Sequence, residues 1–277
     1  MENKLVKNII DEIVGSFDRY DGLVSLNLVG SFYNTEKELE KFNDFDIVLI
    51  FETITKKEIE KINKVASLIK DKFSNRSIGI THTLKIGPIK VKSEKEKTIM
   101  LHFLTYSVNG YNEYESVLTR FSFQNYKPLL GISLSKISKI KKIDYKDLFN
   151  KIDGIPAMKN WIIKNEVEYI EPTKNGIKII PKNLGDKEHL EIVFYSVLRL
   201  ASNILRVKGR YFDVDKDMCN EFSKNFKMSS NNLPKEIFNL KESLRKGRLF
   251  SRDEIKILSG RAIIFIEECE RLLKSDN

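Results

Sequence analysis

Two aspartates, Asp44 and Asp46, stand two residues apart at the start of a nearly unbroken apolar run that continues to Phe51. Such a run predicts a strand that is covered on both of its faces. Residues two apart in an extended chain point to the same face, so the two carboxylates would lie side by side and repel each other. A divalent cation offsets this repulsion, and Mg²⁺ in proteins prefers one or two carboxylates together with substrate phosphates. The pair therefore predicts a Mg²⁺ site that receives a phosphate-bearing substrate.

A tight turn at Gly30 and Ser31 comes before this strand, at the end of a β-prone segment. Gly30 would let the backbone approach a phosphate closely, because it has no side chain. A helix that starts after Ser31 would offer free N–H groups to an anion. In the competing interpretation, Ser31 only caps a helix and the two aspartates form a solvated acidic turn. Asp46 argues against that interpretation, because it runs directly into the apolar sequence Ile-Val-Leu-Ile.

The combined pattern consists of Val29-Gly30-Ser31, a twelve-residue spacer (Phe32–Asn43) and Asp44-Phe45-Asp46-Ile47. It resembles the signature of the DNA polymerase beta-like nucleotidyltransferase superfamily, in which a glycine-serine turn is followed by Asp-x-Asp on the next strand. The resemblance implies a magnesium-dependent enzyme that moves a nucleoside monophosphate from an NTP, expected to be ATP, to an acceptor hydroxyl. It also implies that Asp44 and Asp46 hold the Mg²⁺, and that Gly30 and Ser31 bind the triphosphate.

The position of the third carboxylate in this superfamily is taken here by His102. The apolar strand Thr98–Tyr106 carries it in the sequence Leu101-His102-Phe103, where related folds place an acid between two apolar residues. A neutral imidazole does not replace the charge of a carboxylate beside Mg²⁺, although it can act as a base or as a weak ligand. His102 is therefore a candidate catalytic residue, with a purely structural place on the strand as the alternative. Glu191, in the C-terminal half, is a second candidate for the general base.

Helical and extended patterns around these residues predict the elements that position them. Leu5–Phe17 has the apolar spacing of a helix, and Thr55 with Glu58 forms a capping box for a second helix that reaches Phe73. Ile78–Ile86 alternates between apolar and polar residues as a strand does. Strands and helices in this order predict a mixed α/β sheet.

The C-terminal part of the chain changes to helical patterns only. An apolar stripe with a 3.6-residue period predicts one helix over Lys187–Val207, and three more follow at Asp215–Phe226, Pro234–Lys246 and Ser251 to about Leu273. This four-helix bundle resembles the helical half of aminoglycoside nucleotidyltransferases and of HEPN-type partners of minimal nucleotidyltransferases. The HEPN nuclease motif combines an arginine with a histidine a few residues later. Because the only histidine in this half is His189, we do not expect a nuclease.

The expected fold class is α+β, with a nucleotidyltransferase-like mixed β-sheet, flanking helices and a C-terminal four-helix bundle. We expect a nucleotidyltransferase-like α/β domain over 1–108, a connecting region with a β-hairpin over 109–185, and the helical bundle over 186–277. The hairpin is predicted from two alternating segments around a turn at Pro172–Gly176.

The composition indicates which partners the chain favours and in which compartment we expect it. The chain has 48 Lys and Arg against 39 Asp and Glu, a formal net charge of +9, which favours polyanions such as RNA or a nucleotide. No run of eighteen apolar residues is present, and acidic residues interrupt the apolar pattern near the N-terminus, so neither a membrane span nor a signal peptide is expected. Two cysteines without a pairing pattern, Cys219 and Cys269, suit the reducing cytoplasm and are expected to be ordinary buried thiols.

Three functions stay open at this point, and so does the formation of a homodimer. The first function is transfer to a small molecule or a protein side chain, although a cationic aminoglycoside would need an acidic pocket that a chain of charge +9 does not obviously offer. The second is a catalytically silent module of the same fold that binds a nucleotide or a partner protein, as an antitoxin-like or regulatory element. The third is an RNA-tailing enzyme, for which the net charge is the only support.

Overall fold

The computed structural model describes residues 2–32, 39, 42–88, 97–113, 126–137, 144–173, 176–210, 212 and 215–275. By its internal contacts the chain divides into two compact units. The first, here called the sheet unit, comprises Met1–Tyr114, Arg120–Ile140 and Tyr169–Ile180. The second, here called the helical unit, comprises Glu115–Thr119, Lys141–Glu168 and Pro181–Asn277.

The sheet unit is built on one mixed β-sheet. Its strands are β1 (Leu23–Val29), β2 (Phe42–Phe51), β3 (Ile78–Thr83), β4 (Lys97–Ser107) and β5 (Tyr126–Gly131). Its helices, within the described residues, are α1 (Glu2–Phe17), α2 (Lys56–Phe73), α3 (Val108–Glu113) and α4 (Leu134–Ile137). The strand order is β3-β4-β2-β1-β5, with β4 parallel to both β3 and β2, and β1 antiparallel to both β2 and β5. The mixed sheet predicted from the sequence is therefore confirmed.

The two faces of the sheet pack against different elements. Alternate residues of β2, such as Ile47 and Leu49, belong to a core that also contains the apolar stripes of α1 and α2. The intervening residues Val48 and Ile50 belong to a second core, with residues of α3 and α4. Because β2 is covered on both faces, its apolar run is continuous rather than alternating, as expected for a central strand.

The predicted helix α2 forms with its capping box. The Thr55 N–H donates to Glu58 Oε2 (2.8 Å), and the Lys57 N–H donates to Thr55 Oγ1 (3.2 Å). These bonds satisfy backbone donors that the first turn of a helix leaves without intrahelical partners. The prediction of the helix start is confirmed.

The strand predicted over Ile78–Ile86 is too long. β3 ends at Thr83, and Ile86 instead forms a separate antiparallel bridge with Ile170. The Ile86 N–H donates to the Ile170 carbonyl (2.8 Å), and the Ile170 N–H donates back to the Ile86 carbonyl (2.9 Å). The alternating pattern was correct, but the chain changes its hydrogen-bonding partner within it.

The helical unit contains the predicted four-helix bundle. Its members are α6 (Asp186–Val207), α7 (Asp215–Asn225), α8 (Leu233–Arg245) and α9 (Arg252–Ser275). Helix α6 packs against the other three. A further helix, α5 (Ile155–Lys164), precedes the bundle and packs against α6 and α9.

The predicted hairpin is also present, as β6 (Glu166–Thr173) and β7 (Gly176–Asn183). Among the described residues, no helix has the length and apolar character that crossing a bilayer requires.

Both cysteines are buried in the helical unit, as predicted. Burial raises the pKa of the Cys219 thiol to about 12, and it raises the pKa of Cys269 well above its ordinary value. The Cys219 thiol donates to the Pro234 carbonyl (3.3 Å). Because the thiolate is the reactive form, neither residue has the character of a nucleophile.

Candidate active site

The two aspartates and the histidine lie on one face of the sheet. β2 pairs with β4 in parallel, with Asp46 opposite His102 and Asp44 opposite Met100. Side chains alternate along a strand, and partners in register share a face. Asp44, Asp46 and His102 therefore point away from the face that α1 and α2 cover, toward the side of Val48 and Ile50.

The register brings the three side chains together. Each of Asp44, Asp46 and His102 offers one ligand atom, and these atoms all lie within 4.8 Å of one another. The aspartates are half-buried, whereas His102 is buried. In the part of the chain that the structure describes, this is the one group of three or more His, Cys, Asp or Glu side chains with such a spacing. The group has the donors for a divalent cation, namely two carboxylates and an imidazole nitrogen.

Both ring nitrogens of His102 have a partner. The Nε2–H donates to the Lys85 carbonyl (3.1 Å), and Nδ1 lies 2.7 Å from Asp46 Oδ1. A backbone carbonyl can only accept, so Nε2 must carry a proton and Nδ1 is the nitrogen turned toward the carboxylate. If Nδ1 also carries a proton, it donates to the carboxylate and the contact is an ion pair. The imidazole is therefore fixed in its orientation at both ends.

The chain that supplies the Lys85 carbonyl is itself held in place. Immediately before it, Thr83 Oγ1 accepts from the Lys85 N–H (3.0 Å). Immediately after it, the two backbone bonds between Ile86 and Ile170 fix the path. This acceptor could not be predicted from the sequence, because a carbonyl oxygen is present at every residue. Its position follows only from where the chain leaves β3.

Gly30 lies beside the other oxygen atom of the Asp46 carboxylate. Its φ is +70°, in the left-handed region that favours glycine. A Cβ atom built at Gly30 would lie 2.5 Å from Asp46 Oδ2, so any side chain there would displace Asp46. Glycine at position 30 thus serves two purposes. It adopts the left-handed backbone conformation, and it leaves room for the Asp46 carboxylate.

Two other predicted residues are located less completely. Ser31 lies in the 3-10 turn Gly30–Phe32 that directly follows β1, and its side chain is outside the described structure. The short helix expected after it, predicted over Lys37–Phe42, lies largely outside the described ranges, and Phe42 is the first residue of β2. Glu191 is half-buried on α6 and belongs to the helical unit.

Sequence reasoning missed a polar pair on the neighbouring strand. Ser25 and Asn27 of β1 are fully buried, with Asn27 Nδ2 donating to Ser25 Oγ (2.6 Å) and Ser25 Oγ donating to the Ile132 carbonyl (2.5 Å). Asn27 pairs with Val48 across the strands, on the same sheet face as Asp46. The signal was the two-residue spacing of polar side chains within an apolar strand, as for the aspartates.

Comparisons with known proteins show what this chain is similar to. No family model matches it, and no curated protein sequence matches it. The solved structure of the spectinomycin adenyltransferase from Enterococcus faecialis, with ATP and spectinomycin, matches it with a TM-score of 0.53 at 9% sequence identity. The match covers 94% of this chain and 99% of that chain. At this identity the likeness establishes the fold, a nucleotidyltransferase-type mixed sheet followed by C-terminal helices, and confirms the expected fold class.

Proposed function

We propose that this protein is a nucleotidyltransferase that moves AMP from ATP to a hydroxyl group of a small molecule and releases pyrophosphate. The observation that carries the proposal is the convergence of Asp44, Asp46 and His102 on one sheet face, beside the Gly30 turn. It is supported by the likeness to an enzyme that was solved with ATP and a small molecule. A protein side chain stays open as an acceptor, whereas only the net charge favours RNA.

The two carboxylates suit a divalent cation. Asp44 and Asp46 project from the same strand face, and their charges repel unless a counter-charge lies between them. When bound, a divalent cation would neutralise charge on the triphosphate and orient it. The proposed work of this chain is to fix the carboxylates, with Gly30 leaving room for Asp46 and the turn at residues 30–32 lying beside them.

We assign His102 to positioning rather than to proton abstraction. A general base must come within hydrogen-bond reach of the acceptor hydroxyl. Both nitrogens of His102 already face partners, namely Asp46 and the Lys85 carbonyl. Proton abstraction from the acceptor hydroxyl is therefore left to a residue other than His102.

The test is AMP transfer by the full chain, measured with ATP labelled at the α-phosphate and with pyrophosphate release. The matched pair is Asp44→Asn, which keeps the size of the site residue, and Asp71→Asn, which changes an exposed aspartate on α2. We expect Asp44→Asn to lower pyrophosphate release by about 100-fold or more, because a cation ligand is lost. Asp71→Asn should match the wild type. Equal rates in wild type and Asp44→Asn would contradict the proposal.

The ion pair between His102 and Asp46 favours one competing function, a silent module that binds a nucleotide without transferring it. In that function a protonated His102 would supply the counter-charge of Asp46 in place of a cation. The same assay separates the two functions. ATP binding that is independent of divalent cations, together with no pyrophosphate release from any NTP, would identify the silent module.

A further inference from the structure

The third donor of the site is nitrogen, which changes the ion that the site suits. Asp44 and Asp46 contribute oxygen atoms, and His102 contributes an imidazole nitrogen within 4.8 Å of them. Mg²⁺ is a hard ion that takes oxygen ligands in near-ideal octahedral geometry. Imidazole instead suits transition-metal ions such as Fe²⁺, Ni²⁺, Cu²⁺ and Zn²⁺, whereas carboxylates suit the transition metal Mn²⁺ as well as Mg²⁺. A mixed set of two carboxylates and one imidazole therefore favours a transition-metal ion.

The orientation of His102 is that of a metal ligand. Metal-binding histidines almost always donate their other ring N–H to a backbone carbonyl, a carboxylate or a water, which fixes the tautomer. Here the Nε2–H donates to the Lys85 carbonyl (3.1 Å), so Nδ1 is the ring nitrogen that would bind a metal, with release to solvent of any proton that it carries. Nδ1 is also the nitrogen that faces Asp46. The bond to Lys85 thus turns the correct atom toward the carboxylates.

The spacing of the two atoms is close to what a shared ion needs. Neighbouring ligands at about 2.1 Å from an octahedral ion lie roughly 3 Å apart. Nδ1 of His102 and Oδ1 of Asp46 are 2.7 Å apart, so a small separation is sufficient. His102 is buried, and its Nε2 is held by a hydrogen bond. Gly30 has no side chain that would displace the Asp46 carboxylate. The donors are therefore arranged before an ion arrives.

We propose that the Asp44–Asp46–His102 site binds Mn²⁺ in preference to Mg²⁺, with His102 Nδ1 as a direct ligand. The inference rests on the proposed function, since it names the ion of the same site. It assigns to His102 a role that an oxygen donor at this position would not have. The nitrogen ligand sets the metal preference, and the two carboxylates hold the ion beside the triphosphate.

The first experiment measures metal binding directly by titrating the full chain with Mn²⁺ and following the electron paramagnetic resonance signal of the free ion. Mg²⁺ is then added as a competitor, in buffer without nitrogen ligands. We expect Mg²⁺ to need at least about tenfold the concentration of Mn²⁺ to displace it, because Mg²⁺ takes oxygen ligands and, of the two ions, only Mn²⁺ is a transition metal. Equal affinities for the two ions would overturn the proposal.

The second experiment detects the nitrogen itself, by pulsed electron paramagnetic resonance of the wild-type chain with bound Mn²⁺. We expect ¹⁴N modulation from one imidazole. The matched control is His82→Asp, which changes an exposed histidine on β3 that contacts Asn63. The modulation should persist in His82→Asp and disappear in His102→Asp, whose all-oxygen site should also lose the preference for Mn²⁺. Because the wild-type spectrum needs no variant, a folding defect in His102→Asp leaves the test intact, and bound Mn²⁺ without ¹⁴N modulation overturns the proposal.

The outcomes separate this proposal from the proposed function. AMP transfer with Mg²⁺, together with equal affinities and no ¹⁴N modulation, removes the role of His102 and leaves the nucleotidyltransferase in place. Mn²⁺ bound through His102 without AMP transfer to any acceptor keeps the metal site and removes the enzyme. A wild-type chain that binds neither ion overturns both.

Discussion

The His102–Asp46 pair of the sheet unit differs from two sets of polar side chains in the helical unit, both in burial and in the bonds made. In the sheet unit, the His102–Asp46 pair has side chains only 7% and 19% exposed, and His102 has a second bond to a carbonyl. In the helical unit, ion pairs such as Arg261–Glu236 lie at the surface, with side chains 44% and 43% exposed. Its fully buried Asn203 makes no side-chain hydrogen bond in the structure as described.

This difference separates polar side chains that are held in one position, as a reacting site requires, from those that are not. A buried polar group costs little when all of its bonds are made, but an unmade bond costs about 1–3 kcal/mol. Partners at both ring nitrogens also fix the position of His102, and position is what a reacting site needs. A surface pair such as Arg261–Glu236 fixes little, because water screens it. Three variants test how far the contrast between the two units holds.

The largest effect is expected from Gly30→Ala. The new Cβ would lie 2.5 Å from Asp46 Oδ2, and the φ of +70° adds backbone strain. We expect AMP transfer to fall about 100-fold, because a displacement of about 1 Å in a reacting group has a cost of that order. The control is Gly22→Ala, where φ is +83° and no atom lies within 4 Å of the added Cβ. It carries the strain without the collision, so equal activities in the two variants would show that the collision with Asp46 does not affect transfer.

A smaller effect, on stability, is expected from His102→Phe. The change removes both hydrogen bonds and leaves Asp46 partly buried without its counter-charge. We expect the free energy of unfolding to fall by about 2 kcal/mol, measured by urea in the presence of a chelator. The partner variant Glu236→Gln breaks the exposed pair with Arg261 and should cost less than about 1 kcal/mol. Similar losses in both variants would remove the distinction between the two ion pairs.

The smallest effect is a gain in stability from Asn203→Leu. Leucine has the same number and branching of side-chain heavy atoms, although it is larger, and it removes two buried polar atoms that have no partner among the described residues. We expect the free energy of unfolding to rise by about 1 kcal/mol relative to Asn239→Leu. Asn239 is exposed on α8, so it subtracts the better helix propensity of leucine. A loss of stability in Asn203→Leu relative to Asn239→Leu would contradict this prediction.

Local patterns in the sequence were sufficient for the elements whose signals are local. The apolar run after Asp46 predicted a central strand, and Thr55 with Glu58 predicted the start of α2. The two-residue spacing placed Asp44 and Asp46 on one face, and β4 was recognised as a strand around His102. Each of these follows from periodicity or capping within a dozen residues.

Features that depend on residues far apart in the sequence could not be predicted from local patterns. The parallel register that sets Asp46 opposite His102 joins residues 56 positions apart, and β5 pairs with β1 at the far edge of the sheet. The unbonded Asn203 was overlooked, because a helical stripe is recognised from its apolar residues alone. α5 was missed although Pro156 in its first turn is a typical start signal.

The Lys85 carbonyl has a consequence for how this site would be mapped and how it would diverge. Because the acceptor is a main-chain atom, replacing the side chain at position 85 leaves the carbonyl oxygen in place. An alanine scan would therefore not detect its role. Relatives could therefore carry any residue there while keeping the same loop path, held by Ile86 and Ile170. Insertions or deletions between β3 and that bridge, rather than point substitutions, are the changes that would cost the histidine its anchor.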